Sequence, residues 1–452
     1  MQISIEKTIF TNCQKSRPLT KYSQFNNHFF YEQKYIWFNS FSNEFLILEP
    51  ILHELLIASI TENNPLELKD IHQDFFDALL SKNFILDKSI NEIELVREWN
   101  KRLIENDSFY HITINPTMNC NFKCWYCYET HIKDSKLSDK TIQAICNHIN
   151  LVYNNNSNLK DFKLSWFGGE PLLYYDTTVK PILEFAYNIF NNTNINFYST
   201  FTTNGLLING DRINDFKKYN VNFLQITLDG FEEEHNRVRY ISKNKGSFIQ
   251  IVENIILLAE NEINVTVRIN FSEKTLLNIS KLADLFSKIE NKHLKYLLFD
   301  FHQVWQEEKD LTLELNTALD YFKSIGLNTV QRDDVDTFKS PCYADKKNHA
   351  TINYNGEVFK CTARDFRSDI KEGDLLDDGT INWNNKYYQR LDSKIKNTPC
   401  FTCSILPICG GGCSQVSLEN IDIDYCVKDF DENKKLDIVK NKFQFTLYKS
   451  NA

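Results

Sequence analysis

The chain has 452 residues, about three times the size of a common domain, so two or three domains are expected. Apolar residues make up 42% and charged residues 25%, the balance of a globular protein with ample core. A net charge of −9 argues against a nucleic-acid-binding surface as the chain's main business. No apolar run approaches the ~18 residues of a spanning helix. Met1–Gln14 (MQISIEKTIFTNCQ) has no basic segment followed by an apolar one, so a cytoplasmic protein free of membrane is expected. Twelve cysteines in such a chain point to metal or redox chemistry rather than to disulfides.

Residues 1–107 read as a winged-helix-like α+β domain. His28–Phe38 and Glu44–Leu48 are strand-like around a polar turn. Pro50 opens a helix, a second helix is predicted over Leu66–Leu80, and a charged helix over Ile90–Glu105. Over residues 108–305 strands and helices alternate. The predicted strands are Tyr110–Asn115, Phe162–Phe167, Ile195–Thr203, Phe223–Leu228, Val265–Phe271 and Tyr296–Phe301. Between them lie predicted helices at 139–153, 178–191, 209–219, 248–261 and 276–292. This is the pattern of an α/β fold with a partial parallel barrel, which places its functional site at the C-terminal ends of the strands. Residues 306–452 are loop-rich and cysteine-bearing, with one hairpin turning at Asn355-Gly356.

The cysteines lie at 13, 120, 124, 127, 146, 342, 361, 400, 403, 409, 413 and 426, with none between Cys146 and Cys342. Two clusters therefore flank a cysteine-free body. Cys120-Asn-Phe-Lys-Cys124-Trp-Tyr-Cys127 falls in the loop after the first barrel strand. Three thiolates can hold three corners of one cubane and leave its fourth iron open to a cofactor or substrate. The alternatives are a zinc site lacking a ligand or a redox pair with a spare thiol. Zinc structural sites usually close with four protein ligands in paired short spacings, and no fourth ligand completes this one.

This motif, with Tyr126 at its aromatic position, resembles the signature of the radical S-adenosylmethionine (SAM) superfamily. The resemblance implies a partial (β/α)6 barrel in which Cys120, Cys124 and Cys127 hold a [4Fe-4S] cluster and SAM chelates the open iron. Reductive cleavage then gives methionine and a 5′-deoxyadenosyl radical that takes a hydrogen atom from substrate. The cofactor supplies the hard chemistry, and the protein orients it and excludes water. Gly168-Gly169-Glu170 resembles the family's GGE motif, whose backbone approaches the SAM amino group; by itself it would equally be a tight turn. Thr202-Thr203-Asn204-Gly205 and Thr227-Leu-Asp229-Gly230 resemble motifs that meet the SAM carboxylate and ribose, or are ordinary turns after strands. Arg268 and Asn270 are candidates to point into the barrel. His235 and Arg239 resemble a His-x3-Arg stretch of related enzymes, or form a solvated helix start.

The C-terminal spacing is Cys342-x13-Gly356-x4-Cys361, then Cys400-x2-Cys403-x5-Cys409-x3-Cys413, then Cys426. It resembles the SPASM domain, which usually carries two auxiliary [4Fe-4S] clusters. The resemblance implies one cluster on Cys400, Cys403, Cys409 and Cys426 and another on Cys342, Cys361 and Cys413. Some relatives place a fourth cysteine where this chain has Asn348, so the second cluster is expected to have an open iron or a ligand such as Asp345 or His349. Cys13 and Cys146 read as small buried hydrophobes.

The resemblance covers maturases of ribosomal peptides and sulfatase maturases that make formylglycine. The N-terminal domain resembles the leader-recognition element of peptide maturases, which binds an extended leader at a sheet edge, or it only packs on the barrel. Sulfatase maturases typically carry an Asp directly after the cysteine corresponding to Cys361; here that residue is Thr362, with Asp365 three further on. The expected function is therefore crosslinking or thioether formation in a precursor peptide, fed by an electron donor such as flavodoxin or ferredoxin. A sulfatase maturase and a non-catalytic iron–sulfur peptide-binding or sensing protein are the alternatives.

Overall fold

The computed structural model describes residues 19–330 and 341–451; Met1–Gln14, with Cys13, lies outside the described residues. After β1 (Thr20–Tyr22) comes an antiparallel meander of β2 (Asn26–Tyr31), β3 (Lys34–Asn39) and β4 (Glu44–Leu48). Helix Pro50–Thr61 follows, and then two helices, Pro65–Ile71 and Gln73–Ser81, where the apolar periodicity predicts one. The break falls at His72, whose φ of −148° leaves the helical region. Its side chain accepts a hydrogen bond from Phe75 N at 3.2 Å and so caps the next helix. Strand β5 (Ile85–Asp87) returns to pair with β1, and helix Glu92–Ile104 leads onward. Trp37, Leu56, Leu68, Phe76 and Leu79 form this region's own core. Phe29, Ile36 and Phe38 instead bury themselves against Ile405, Ile408, Ile438 and Phe443 of the C-terminal region.

The centre of the molecule is a ten-stranded sheet. Strands β6 (Phe109–Ile114), β7 (Asp161–Trp166), β8 (Asn196–Thr203) and β9 (Val221–Leu228) run parallel in sequence order. A short hairpin of β10 (Tyr240–Ser242) and β11 (Lys245–Gly246) stands apart, and β12 (Asn264–Phe271) and β13 (Leu297–Gln303) complete the parallel run. Apolar faces of the intervening helices Asp139–Asn155, Lys180–Phe190 and Phe248–Glu260 pack on the strands through Ile149, Leu183 and Ile255. Cys146 lies in that same buried core. The helix predicted over 276–292 is three short pieces, Glu273–Leu276, Ile279–Phe286 and Asn291–Leu294.

Strand β14 (His349–Ile352) adds to the sheet beside β6, parallel to it, with His349 opposite His111 and Ile352 opposite Ile114. It turns at Asn355-Gly356 into β15 (Glu357–Phe359), and β16 (Gly373–Leu375) and β17 (Ile381–Trp383) continue antiparallel. The hairpin is legible in the sequence; its docking on the first barrel strand is not. It fixes the cysteine-bearing C-terminal region to the edge of the barrel.

Trp166 is 1% exposed, stacks on Phe201 with centroids 5.8 Å apart, and donates its indole N–H to Ser199 Oγ at 2.9 Å. Trp166→Ala is expected to cost about 3–5 kcal/mol. Urea denaturation of the metal-free chain measures it; an unshifted midpoint would contradict this packing.

Candidate active site and metal centres

The loop after β6 is held down before it reaches its cysteines. Met118 and Phe122 are buried, Met118 N donates to Ser135 Oγ at 2.9 Å, and Thr117 Oγ1 bonds Ser135 O. The loop backbone then crosses directly over Gly168 and Gly169. A Cβ on Gly169 would stand 2.3 Å from Asn119 O, and one on Gly168 would stand 2.7 Å from the Asn115 side chain. Both glycines have positive φ, 75° and 48°, so the two loops can meet only if side chains are absent. Glu170 N donates to Asn119 O at 2.9 Å and closes the junction.

Around this crossing lies an open pocket of about 180 Å³. It gathers Cys120, Cys124, Tyr126 and Cys127 with Gly168, Gly169, Asn204, Thr227, Arg268 and Asn270. All are sequence-level candidates, brought together from the ends of five successive strands. Glu170 and Asp229 stand behind the wall. Glu170 is fully buried, and its carboxylate accepts bonds from Thr203 Oγ1 (2.7 Å), Asn204 N (2.8 Å) and Leu172 N (2.9 Å). Asp229 takes the Tyr126 hydroxyl on one oxygen and Arg239 Nε, at 2.6 Å, on the other. Arg239 also donates to the Tyr126 hydroxyl at 2.9 Å. His235 Nδ1 accepts from Asp229 N at 3.3 Å, and its Nε2 lies 3.0 Å from Ser247 Oγ. His235 and Arg239 are thus both buried, not a solvated helix start; burial pushes the His235 pKa down to about 3, leaving a neutral ring.

The thiols fit a multi-iron group. Burial and the Glu170 carboxylate push Cys120 up to about 12, and burial also raises Cys124, so in the metal-free protein these sulfurs hold their protons. Cationic iron would stabilise the thiolates and release those protons. Cys127 is open to solvent, with His131 Nε2 at 3.6 Å. Among the described residues no three His, Cys, Asp or Glu side chains converge at the spacing of a single ion.

Several residues of the pocket carry no motif and escape sequence reading. Gln303 lines it, and Trp305 lies at its mouth, 64% exposed and stacked on Tyr128 at 5.3 Å. Gln225 faces inward from β9. Glu129, two residues beyond Cys127, has its Oε2 on Gly169 N at 3.0 Å, while Oε1 is buried without a hydrogen-bond partner. Its place directly after the motif is the one sequence signal that could have found it.

Among the C-terminal cysteines, several lie close enough to act on one another. After burial, the other thiols acting on Cys400 are Cys409, Cys403 and Cys426. Cys361 acts on Cys342, and Cys413 acts on Cys361. The C-terminal region is also stitched to the pocket rim. The Tyr128 hydroxyl donates to Thr362 O at 2.8 Å, and Thr130 donates to Asp365 through N (2.9 Å) and Oγ1 (2.6 Å).

Residues 114–274 match the Radical SAM superfamily. Over these residues the chain therefore carries a radical SAM domain, whose cofactors are S-adenosylmethionine and a [4Fe-4S] cluster. It is 25% identical over 379 residues to the radical SAM cyclopropyl synthase TigE of Paramaledivibacter caminithermalis, covering 77% of this chain and 76% of that one. It is 27% identical over 181 residues to the cysteine-type anaerobic sulfatase-maturating enzyme of Clostridium novyi, covering 40% of this chain and about half (48%) of that enzyme. Among solved structures, native anSMEcpe with bound AdoMet and Kp18Cys peptide shares the fold at a TM-score of 0.51 and 16% identity, over 75% of this chain and 98% of that one. Among the described residues no helix is long and apolar enough to cross a membrane.

Glu129 gives the site a pH signature in the metal-free chain. Burial raises its carboxyl from 4.5 to about 7. The folded chain thus holds this proton more tightly than the unfolded one. The resulting stability is complete below pH 4.5 and is lost as pH rises through about 7. Up to about 3 kcal/mol is at stake. Glu129→Gln should remove that slope, and urea midpoints from pH 4.5 to 8 measure it; parallel profiles for the two chains would refute the assignment.

Proposed function

We propose that the protein is a radical SAM/SPASM maturase that modifies a ribosomally made peptide, by crosslinking or thioether formation at an unactivated carbon. When bound, the cluster and SAM supply a 5′-deoxyadenosyl radical that abstracts hydrogen. Cys120, Cys124 and Cys127 would hold that cluster, and the Gly168-Gly169 backbone with Asn204, Thr227 and Asn270 would orient SAM. Glu170 and Asp229 then act from behind, by fixing Asn204 and Tyr126. One-electron reduction would come from a donor such as flavodoxin or ferredoxin.

The observation that carries this reading is the bonding of the C-terminal cysteine region to the pocket rim, through Tyr128–Thr362, Thr130–Asp365 and the β6–β14 pairing. That bonding holds the chain next to Cys361 against the rim of the opening through which a substrate would enter. A peptide suits the opening, where the Tyr128–Trp305 stack offers a flat aromatic surface to a side chain. A solved structure of like fold is described with a bound peptide. Among the described residues the outer edge of β4 also has no strand partner, which leaves room for an added strand from a leader.

Asp365 argues against formylglycine formation. Its Oδ1 accepts from Thr130 N and Phe366 N, both at 2.9 Å, and its Oδ2 from Thr130 Oγ1, so it serves as a strut rather than as a free base. The relative named a cyclopropyl synthase also spans far more of the chain than the sulfatase-maturating one.

Anaerobically reconstituted protein with SAM and a reductant should release 5′-deoxyadenosine, and Cys124→Ala should abolish the release. Co-expression with a small precursor encoded beside the gene should remove two hydrogens from the peptide at a new crosslink. An unmodified precursor, together with an aldehyde gained by a sulfatase fragment, would overturn the reading.

A further inference from the structure

Three cysteines leave one iron of a cubane without a protein ligand. Asn348, at the position where some relatives carry a fourth cysteine, faces elsewhere. Its Nδ2 donates to Asn106 O at 3.2 Å, and its carbonyl accepts from His111 N at 3.0 Å. His349 is fully buried with Nδ1 unpartnered, yet it is turned into the β6–β14 pair. Its Nε2 lies 3.3 Å from Thr113 Oγ1, and its ring sits between His111 and Tyr343, with centroids at 4.7 and 4.9 Å. Besides burial, the groups that act on it are His111, Lys360, Lys163 and Lys346, none of them a cysteine.

Asp345 is different. It is 2% exposed, and neither carboxylate oxygen accepts a hydrogen bond, which is rare for a buried charge. The tight turn Tyr343–Asp345, closed by Asp345 N donating to Cys342 O at 3.0 Å, folds the residue back on Cys342. Of the cations around Asp345, Lys360, Arg390 and Lys394, the last pairs with it directly: Lys394 Nζ stands 3.2 Å from Oδ2, and the same Nζ bonds the carbonyl of Gly412, the neighbour of Cys413. Through Lys394 the Asp345 carboxylate, three residues from Cys342, is thus tied to the chain beside Cys413.

We propose that Asp345 is the fourth protein ligand of the auxiliary cluster on Cys342, Cys361 and Cys413, an assignment that rests on the SPASM reading above. A carboxylate replaces a thiolate charge for charge, so the cluster's net charge is kept. The harder oxygen donor binds iron less tenaciously than sulfur and is the ligand a substrate thiolate would displace. Lys394 then faces the negative charge of a ligated carboxylate.

The test uses the full chain with Cys120, Cys124 and Cys127 all changed to Ala, so that only auxiliary clusters remain, reconstituted anaerobically. Its readouts are iron and sulfide content and the EPR signal of the reduced protein, with and without cyanide. The background chain should hold two clusters whose signals ignore cyanide. Adding Asp345→Ala should make one signal cyanide-sensitive or lose that cluster, and Asp345→Cys should restore full iron content with a shifted, cyanide-insensitive signal. A signal indifferent to Asp345→Ala, a background already responsive to cyanide, or a cluster lost in Asp345→Ala and not regained in Asp345→Cys overturns the ligand assignment. A background holding iron for one cluster only, unchanged by Cys361→Ala, overturns the cluster itself and Asp345 with it.

Discussion

The ion pair of Asp229 and Arg239, 2.6 Å apart and almost wholly out of water, is the constraint on which the site depends. Taking two charges out of water costs several kcal/mol each unless their remaining donors and acceptors are filled. Here they are filled from the cysteine loop and from the neighbouring helix. The Tyr126 hydroxyl lies between the two ions, donating to one and accepting from the other, and Asp229 N donates to His235. The aromatic residue inside the cysteine motif is thereby bolted to the end of β9. Removing either ion would strand the other in a dry interior, a loss of about 3–5 kcal/mol. The loop carrying three thiols would lose its far anchor with it. A motif loop without regular secondary structure has few ways to hold a fixed shape, and this one uses buried charge.

A second constraint acts from the other side of the loop. Gly168 and Gly169 let the backbone after β7 pass within contact of Asn115 and Asn119, and Glu170 then turns inward to grip the end of β8 through Asn204 N and Thr203. The GGE segment therefore works as a three-way joint between β6, β7 and β8. Its carboxylate lies behind the pocket wall and acts through the residues it holds.

The legible parts of the sequence were those set by local chemistry. Period-two and period-3.6 patterns mark the strands and most of the helices, and the cysteine motif with the turn residues after each strand marks the pocket. What escaped depends on partners far away in the chain. Arg239 next to three glutamates reads as a solvated helix; its burial follows from Asp229, ten residues earlier on another element. The break at His72 is hidden because Phe75 and Phe76 keep facing the core on either reading. Glu129 and Trp305 become pocket residues only when the loop closes and the sixth barrel strand ends beside it.

The join of β14 to β6 shows why the cysteine-rich third of the chain could not be placed from its spacing. The resemblance implies which thiols share a group, but four paired residues, His349 to Ile352 against His111 to Ile114, decide where that region stands relative to the barrel. Parallel pairing at a barrel edge requires a long crossover, and no local signal announces which strand receives it. Once that register is set, the short path from Ile352 through the hairpin to Cys361, Thr362 and Asp365 brings those residues over the end of the cysteine loop. Their bonds to Tyr128 and Thr130 follow from that. Asp365 is tied down because the cysteine region is docked, and the register of β14 on β6 is what carries its carboxylate onto Thr130.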